Sequence, residues 1–416
     1  MSHCRTLGGM VTTQVGTGET AVGNRGTTAR IVLLASVPAM FLATSSAPTP
    51  LYSVYARSWG VSAAATSVVF GAYALALLSA LLVLGRISDH LGRRAVICST
   101  LVVQVAAMLV FAAAEGLGAL LVARVLQGLS TGTGLAAVGA ALLDIDARRG
   151  RIANSAAPGI GTGIGALGSA VLIAAGAPRP TRLVYLVCAV VLLVQIAAVS
   201  RWSDSTPRRP GAISSLRPGL HAPRRIRALI GAAVPVLFAV WAVSGLFGAF
   251  GPRLATQLTG SSSPVLGALP IALVGAVAPV VTFSTGRLGA RRSLVYGILG
   301  LLAAVGLTAQ ALWLGHMWLL LAGAAVAGAG FGFGLRGGMD LVLPAVDESE
   351  RAGTMALLYT ASYVGFGVPA IAAGVVQQAT GNLTATALGY LAVLAALAVT
   401  AAGVLRRTRA PEGTTT

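Results

Sequence analysis

Twelve apolar runs follow one another along this chain of 416 residues, and each is about 20 residues long. A helix of that length crosses the roughly 30 Å hydrocarbon core of a bilayer. Membrane β-strands are excluded because they alternate over short segments, whereas these runs are continuous and rich in Leu, Ala and Gly. The pattern predicts an all-α polytopic membrane protein. Its helices, numbered 1 to 12 in chain order, are expected to begin near Ile31, Val61, Ala95, Gly118, Ile152, Leu183, Ala228, Pro264, Ser293, Met317, Ala352 and Leu383.

The composition excludes an ordinary soluble enzyme. Charged residues make up 10% of the chain, against about 25% in a soluble domain. The net charge of +18 would indicate a nucleic-acid partner in a soluble protein, but here the basic residues, all of them arginine, lie in short gaps between apolar runs. The lipid bilayer is therefore the expected partner, and no nucleic acid is. The three cysteines, Cys4, Cys98 and Cys188, indicate neither a disulfide framework nor a metal site.

The positions of the arginines predict the orientation of the chain. Most of them lie in the two terminal segments and in the gaps that share a side with the termini. Because cytoplasmic loops carry an excess of arginine, both termini are expected in the cytoplasm, with the protein in the plasma membrane. The arginines expected on the outside are Arg57, Arg179, Arg182 and Arg253.

The chain divides into two six-helix halves. We expect a disordered cytoplasmic tail over residues 1–29, a first bundle over 30–200, a linker over 201–227, a second bundle over 228–405 and a cytoplasmic tail over 406–416. The linker is rich in arginine and proline, which favours a flexible tether between the halves. Contact of this linker with anionic lipid is the alternative to a simple tether.

The two halves resemble each other at an offset of 200 residues, which indicates a duplicated transporter fold. The matched positions are mainly glycines. They are Gly128, Gly132 and Gly134 with Gly328, Gly332 and Gly334, and Arg151, Ala156 and Gly165 with Arg351, Ala356 and Gly365.

The loop between helices 2 and 3 carries the most specific motif, Gly85-Arg-Ile-Ser-Asp89-His-Leu-Gly92-Arg93-Arg94. It resembles the G-x-x-x-D-x-x-G-R-[KR] signature of the major facilitator superfamily at every defined position. In the second half, Gly286 stands where the aspartate would be. The resemblance implies the fold of that family, twelve transmembrane helices in two pseudo-symmetric six-helix bundles.

The residue types in this motif suit a gate. Gly85 permits two helices to approach closely, and Gly92 supplies the positive φ of a tight turn. Asp89 is expected to receive the positive end of helix 11 near Ala352 and Gly353. Arg93 or Arg94 is expected to meet Asp144 at the end of helix 4, so that the cluster holds the inside closed in the outward-open state. The alternative is a charged turn that only sets topology.

A second signature lies in helix 4, where Arg124, Gln127, Gly128 and Gly132 match the R-x-x-Q-G-x-x-x-G pattern of the same family. An arginine within the membrane is a functional candidate because its charge is costly there. The resemblance implies either proton coupling or bracing of helix 1 for Arg124, and both remain open. For Gly128 and Gly132, close helix packing is favoured.

Helix 5 only partly matches the drug:proton antiporters of the family, the 12-helix branch that the chain most resembles. It contains Pro158, Gly159, Gly161 and Gly163 where that branch has G-P-x-x-G-G.

Acidic residues are scarce in the apolar runs. Asp340, four residues after Arg336 in helix 10, is expected to pair with it, either as internal neutralisation or as a gate or proton site.

The middles of helices 1, 2, 4, 5 and 7 contain no carboxylate, which favours neutral or amphipathic substrates over strongly cationic ones. The resemblance implies a central cavity built by helices 1, 4, 7 and 10. The candidate cavity residues, including two from helix 11, are Thr44, Ser45, Gln127, Trp241, Phe331, Phe333, Tyr359 and Tyr363.

We therefore expect a monomeric secondary transporter that works by alternating access and needs no bound cofactor or metal. Proton-driven export of small hydrophobic or amphipathic compounds is favoured, with protons as the coupling ion. Import of a neutral metabolite and a non-transporting sensor are the alternatives. An enzyme is not expected, because the four histidines, His3, His90, His221 and His316, do not converge on a site.

Overall fold

A computed structural model describes residues 17–202, 210–213, 216, 224–286 and 288–407. In this part of the chain the fold is all-α, and twelve helices are long and apolar enough to cross a membrane. The first is continued by a second helical piece. The helices are 1a Thr17–Ser46, 1b Pro48–Trp59, 2 Ala63–Leu84, 3 Arg93–Ala112, 4 Leu117–Ile145, 5 Ala147–Ala174, 6 Pro180–Ser200, 7 Arg227–Thr259, 8 Pro264–Ser284, 9 Ala290–Leu314, 10 Met317–Val342, 11 Glu348–Thr380 and 12 Leu383–Arg407.

The predicted tails and linker lie largely outside the described residues. The exception is the N-terminal tail, for which no structure is expected up to residue 29, whereas helix 1a begins at Thr17. Extending an existing helix adds one hydrogen bond for each residue fixed, so the membrane helix continues into the polar segment before it. Residues 1–16 and 408–416 are not described.

Helix 1 is interrupted between Ser46 and Pro48 because two prolines follow within three residues. Pro48 has no N–H to donate to the carbonyl of Thr44, and Pro50 has none for the carbonyl of Ser46. Both prolines are tolerated in the first turn of helix 1b, where intrahelical donors are not required.

Each half uses the same pattern of helix packing. In the first half helix 2 packs on helix 4 and helix 1 on helix 5, and in the second half helix 8 packs on helix 10 and helix 7 on helix 11. The halves meet where helix 2 packs against helix 11 and helix 5 against helix 8. The side of the bundle on which the Gly85–Arg94 loop lies is called the motif end, and the other side is called the opposite end.

The repeated glycines perform the same task in both halves, as a duplicated fold requires. A Cβ on Gly132 would lie 2.4 Å from the carbonyl oxygen of Leu77 in helix 2, and one on Gly332 would lie 2.5 Å from that of Ala278 in helix 8. Gly165 and Gly365 have the same relation to carbonyls of helices 1 and 7. These glycines allow backbones to touch, which is how helices associate in lipid.

We predict that Gly132→Leu prevents stable packing of helix 2 on helix 4. The added side chain would overlap the backbone of helix 2 at Leu77, and overpacking of this kind costs about 1–3 kcal/mol or more. Thermal unfolding of the detergent-purified protein should show a lower midpoint. The matched control is Gly118→Leu in the same helix, where a Cβ meets nothing within 4 Å. Equal midpoints in the two variants would contradict the packing role.

Candidate functional site

The loop between helices 2 and 3 is held together by one guanidinium group. Ser88–Leu91 form a short helical turn, and Gly92 follows with φ of +92°, the positive value that the sequence predicts. Arg93 is 13% exposed and donates to the Ser88 hydroxyl at 2.7 Å, to the Asp89 carboxylate and, from Nε, to Asp144 Oδ2 at 3.3 Å. It therefore joins the loop to the end of helix 4.

The structure separates the two arginines that the sequence left interchangeable. Arg93 meets Asp144, whereas Arg94 Nη1 donates to the carbonyl oxygens of Ser200 at 3.4 Å and Trp202 at 2.8 Å. Arg94 thus binds the backbone at the motif end of helix 6. Together the two side chains tie the loop to two helices of its own half.

Two expected contacts of the motif are not made in this conformation. Asp89 is paired with Arg93, and no bond from Asp89 to helix 11 is present among the described residues. The three atoms nearest to a Cβ on Gly85 would all belong to Leu81 of its own helix, with the carbonyl oxygen at 2.4 Å. The Arg93–Asp144 pair is therefore formed in this structure without the expected contact from Asp89 to helix 11.

Asp146, next to this cluster, serves helix 5 instead. Its side chain accepts from the backbone N–H groups of Arg149 at 2.8 Å and Arg148 at 2.9 Å and so caps the helix. The bond from Arg149 is the main cause that lowers the pKa of the Asp146 carboxyl. This carboxylate therefore stays charged in its capping role and is not a member of the gate.

Arg124 is the largest of the fully buried side chains and is 1% exposed. Its Nε donates to the Tyr52 hydroxyl at 3.0 Å, and its Nη1 donates to the Ser45 carbonyl at 2.9 Å and to Gln127 Oε1 at 2.6 Å. The rings of Tyr52, Tyr73 and Phe111 lie 5.5–5.6 Å from the guanidinium carbon. At such distances aromatic rings attract a cation, which offsets part of the cost of burying the charge.

The break in helix 1 explains why helix 4 carries these polar residues. The Thr44 carbonyl lacks its helical donor because position 48 is a proline, and Gln127 Nε2 supplies a hydrogen bond to it at 2.9 Å. Gln104 Nε2 in turn donates to the Thr44 hydroxyl at 2.6 Å. Thr44, Ser45 and Gln127, predicted as cavity residues, are thus engaged in holding helix 1 to helix 4.

Arg336 in helix 10 forms three hydrogen bonds at the motif end of the second half. Its Nε donates to Asp340 Oδ2 at 3.1 Å, the pair that the spacing predicts. Its other nitrogens donate to the carbonyls of Thr282 at 3.0 Å and Gly286 at 2.9 Å, at the end of helix 8. A cation is favoured at a helix C-terminus. Arg336 therefore fixes helix 8 to helix 10, and Asp340, 50% exposed, borders the motif end.

An aromatic cluster lies where the two halves meet. The Trp241 ring of helix 7 is 5.1 Å from Phe331, 4.7 Å from Tyr363 and 5.8 Å from Phe366, and Phe366 is 5.0 Å from Phe70 of helix 2. Tyr73 and Tyr359 pack against the same group. The indole Nε1 of Trp241 is buried and has no hydrogen-bond partner in the described part of the chain.

Phe333 is not in this cluster. Its ring lies 5.5 Å from that of Tyr296 in helix 9, and Tyr296 is exposed on the outer surface of the bundle. Phe366, Phe70 and Tyr73 are not among the cavity residues that the sequence predicts. Phe366 follows Tyr359 and Tyr363 at the i, i+4, i+7 spacing of a single helix face, a signal that identifies it.

At the opposite end the halves are in direct contact. The backbone N–H of Ala64 donates to Gln378 Oε1 at 3.3 Å, joining helix 2 to helix 11. A Cβ on Gly374 of helix 11 would lie 2.2 Å from the Ser67 hydroxyl oxygen of helix 2. Nearer the middle of the bundle, a Cβ on Gly159 of helix 5 would lie 2.4 Å from the Gly275 carbonyl oxygen of helix 8. Among the described residues, no group of three or more His, Cys, Asp or Glu side chains could hold a metal.

Comparisons with known proteins agree with this architecture. The sequence profile of the Major Facilitator Superfamily matches residues 33–305. A bacterial homolog of the human lysosomal transporter Spinster, solved in an inward-facing and occupied conformation, has a TM-score of 0.73 at 13% identity and covers 92% of this chain and 98% of its own. The nucleoside transporter NupG has a TM-score of 0.66 at 14% identity, covering 91% and 99%. No match was found among curated proteins. Because this profile spans well over half of the chain, the chain belongs to the major facilitator superfamily.

Proposed function

We propose that this secondary transporter exports small hydrophobic or amphipathic compounds in exchange for protons. The observation that carries the proposal is the aromatic cluster around Trp241. It joins helices 7, 10 and 11 of one half to helix 2 of the other, at the surface that must open and close during alternating access. A compound bound between Trp241, Tyr363 and Phe70 would contact both halves.

The chemistry of the cluster favours an uncharged or weakly polar ligand. Aromatic rings offer large apolar contact area, and the unpaired Trp241 Nε1 offers one hydrogen-bond donor to an acceptor on the ligand. The ion pairs of the described residues lie elsewhere, at the motif end. They are Arg93–Asp89, Arg93–Asp144, Arg149–Asp146, Arg225–Asp347, Arg225–Glu350 and Arg336–Asp340. A strongly cationic ligand would find no counter-ion in the cluster.

In this proposal Arg124 braces helix 1. Its guanidinium is committed to Ser45, Tyr52 and Gln127, and an arginine does not release its proton in a protein. Proton coupling would then fall on carboxylates at the motif end. Asp89, Asp144 and Asp340 are each about half exposed there, within reach of water.

The distribution of arginines supports a cytoplasmic motif end and a place in the plasma membrane. Contact between the halves at the opposite end then corresponds to a conformation closed toward the outside. In the outward-open state we infer that Asp89 leaves Arg93 and meets the N-terminus of helix 11, whose partial positive charge attracts it. The transport unit is proposed to be a monomer, since both halves are present in one chain.

We predict that cells expressing this protein in a pump-deficient host accumulate less of a fluorescent hydrophobic compound than cells without it. A protonophore should abolish the difference, and Asp89→Asn should reduce it at least tenfold, because the neutral amide removes the charge that alternates between Arg93 and helix 11. The matched control is Glu115→Gln, an exposed carboxylate in the loop after helix 3. It should transport as the wild type does.

The same assay distinguishes the other functions. Higher accumulation in expressing cells would overturn export and establish import. No difference across a panel of neutral and amphipathic compounds, with normal amounts of protein in the membrane, would contradict the proposed substrate class. A protonophore without effect would contradict proton coupling while leaving export intact.

A further inference from the structure

A groove lies between helices 1 and 6 at the motif end, on the outer surface of the bundle. Its volume is about 240 Å³, below the roughly 300–1,000 Å³ of pockets that enclose a drug-sized ligand. It is also separate from the aromatic cluster. The residues that line it are Ala29, Arg30, Leu33, Leu34, Ala198, Arg201 and Trp202.

The groove combines two cations with a buried indole. Arg30 and Arg201 are exposed, and neither forms an ion pair with any residue that the structure describes. Arg201 uses one nitrogen, Nη1, to donate to the Ala197 carbonyl at 3.0 Å. The Trp202 Nε1 atom is buried and lacks a hydrogen-bond partner among the described residues. Two arginines and one tryptophan, each with N–H donors unused within the described part of the chain, therefore line one small space.

The surroundings of the groove are those of a lipid headgroup. The helices on both sides present apolar side chains outward: Val32 on helix 1 is 63% exposed, and Val190 and Val194 on helix 6 are 60% and 64% exposed. These side chains suit an acyl chain, while tryptophan and arginine are the residues found at the membrane interface. Basic pockets between helices on the cytoplasmic side bind anionic headgroups.

We propose that this groove binds the phosphate of an anionic phospholipid, with Arg30, Arg201 and the Trp202 indole N–H as its donors and an acyl chain along helices 1 and 6. Lipid binding affects the Gly85–Arg94 loop through Arg94, which donates to the carbonyls of Ser200 and Trp202. A lipid that orders the end of helix 6 thereby also orders the loop that carries Asp89. The site does not depend on the substrate or direction of transport.

The test is a lipid titration of the full chain in a neutral detergent, with thermal unfolding as the readout. Dioleoylphosphatidylglycerol should raise the midpoint, dioleoylphosphatidylcholine should not, and inorganic phosphate at the same concentration should not. Arg30→Gln combined with Arg201→Gln should weaken the apparent affinity for phosphatidylglycerol about tenfold or more, since each arginine near an anionic lipid contributes about 1 kcal/mol.

The matched control is Arg406→Gln with Arg407→Gln, two exposed arginines in the last turn of helix 12. This control loses the same charge at the same end but lies outside the groove, so its affinity for phosphatidylglycerol should stay within about twofold of the wild type. Trp202→Phe keeps the ring, removes the N–H and carries the test if the arginine variant does not fold. We expect weaker phosphatidylglycerol binding in Trp202→Phe as well.

Three results would overturn the proposal. One is equal affinity for phosphatidylglycerol in the groove variants and the helix 12 control, which would indicate nonspecific attraction. Another is an equal effect of phosphatidylcholine, and the third is an equal effect of inorganic phosphate, which would indicate a site for a soluble anion. None of these outcomes bears on whether the protein exports its substrate.

Discussion

Arg124→Ala is expected to abolish transport and to lower the free energy of unfolding by roughly 3 kcal/mol or more. The substitution leaves the Ser45 carbonyl, the Tyr52 hydroxyl and Gln127 Oε1 without their donor inside the protein. Each buried acceptor left without a partner costs about 1–3 kcal/mol. Because these acceptors hold helix 1 at its break, the loss should also displace the first helix of the cavity.

Arg124→Lys separates bracing from charge. Lysine keeps the positive charge, but a single ammonium group lacks the planar fork that reaches three acceptors at once. If Arg124 braces helix 1, Arg124→Lys should lose transport nearly as completely as Arg124→Ala. Tyr52→Phe removes one acceptor and leaves the other two bonds, so a smaller loss of stability, about 1–2 kcal/mol, is expected.

Substrate exchange at equal pH on both sides provides the decisive measurement for Arg124. Exchange requires alternating access but no proton gradient, so a residue that only couples protons is dispensable for it. We expect Arg124→Lys and Arg124→Gln to lose exchange as well as gradient-driven transport. Normal exchange in either variant, with only the gradient-driven rate lost, would establish coupling and contradict the brace.

The sequence determines much of this fold because each membrane helix must form its backbone hydrogen bonds within itself. Length and composition alone predict twelve helices and their order. The repeated glycines, such as Gly132 and Gly332, also indicate close helix packing, and the structure shows that their partners are helices 2 and 8. By contrast, the helical state of the segment from Thr17 is missed, because a polar composition does not reveal that an adjacent helix continues through it.

The site is less accessible to sequence analysis, since the motifs name residues but not their partners. Arg93 and Arg94 are adjacent, and successive helical residues point about 100° apart, so one reaches helix 4 and the other helix 6. Only the placement of those helices decides which. Phe331 and Phe333 face different neighbours for the same reason.

The contacts between the halves are not predicted by the sequence for a different reason. In the proposed transport cycle two sets of such contacts alternate: the expected bond from Asp89 to helix 11 belongs to one set, and the observed contact of Gly374 with Ser67 belongs to the other. A sequence motif contains residues for both sets and does not show which contacts form together. The contacts at the opposite end therefore offer a direct way to favour one state over the other.

Gly374→Ala is expected to slow transport by about fivefold to a hundredfold. A methyl group at this position would lie 2.2 Å from the Ser67 hydroxyl oxygen and 3.2 Å from the Ala63 carbonyl oxygen. Overpacking of about 1–3 kcal/mol would fall on the state in which the opposite end is closed, and the population of that state would decrease accordingly. Alanine favours a helix more than glycine does, so helix 11 itself should not be weakened.

Removal of the neighbouring side chain should restore function. Ser67→Gly takes away both atoms nearest the added methyl group, so the pair Gly374→Ala with Ser67→Gly should transport faster than Gly374→Ala alone. Gly389→Ala in helix 12, where a Cβ meets nothing within 4 Å, is the matched control and should leave the rate unchanged.

A cross-linking measurement shows whether the conformation has moved. Cysteines placed at Ala64 and Gln378, whose backbone and side chain are bonded here, should be joined efficiently by a short thiol-reactive cross-linker in a background without the native cysteines. The yield should decrease in Gly374→Ala and recover with Ser67→Gly. If transport fell while the cross-linking yield stayed at the wild-type value, the defect would lie elsewhere than in closure of the opposite end. A parallel change in rate and yield would instead identify helix 2 against helix 11 as the contact that each transport cycle must break and remake.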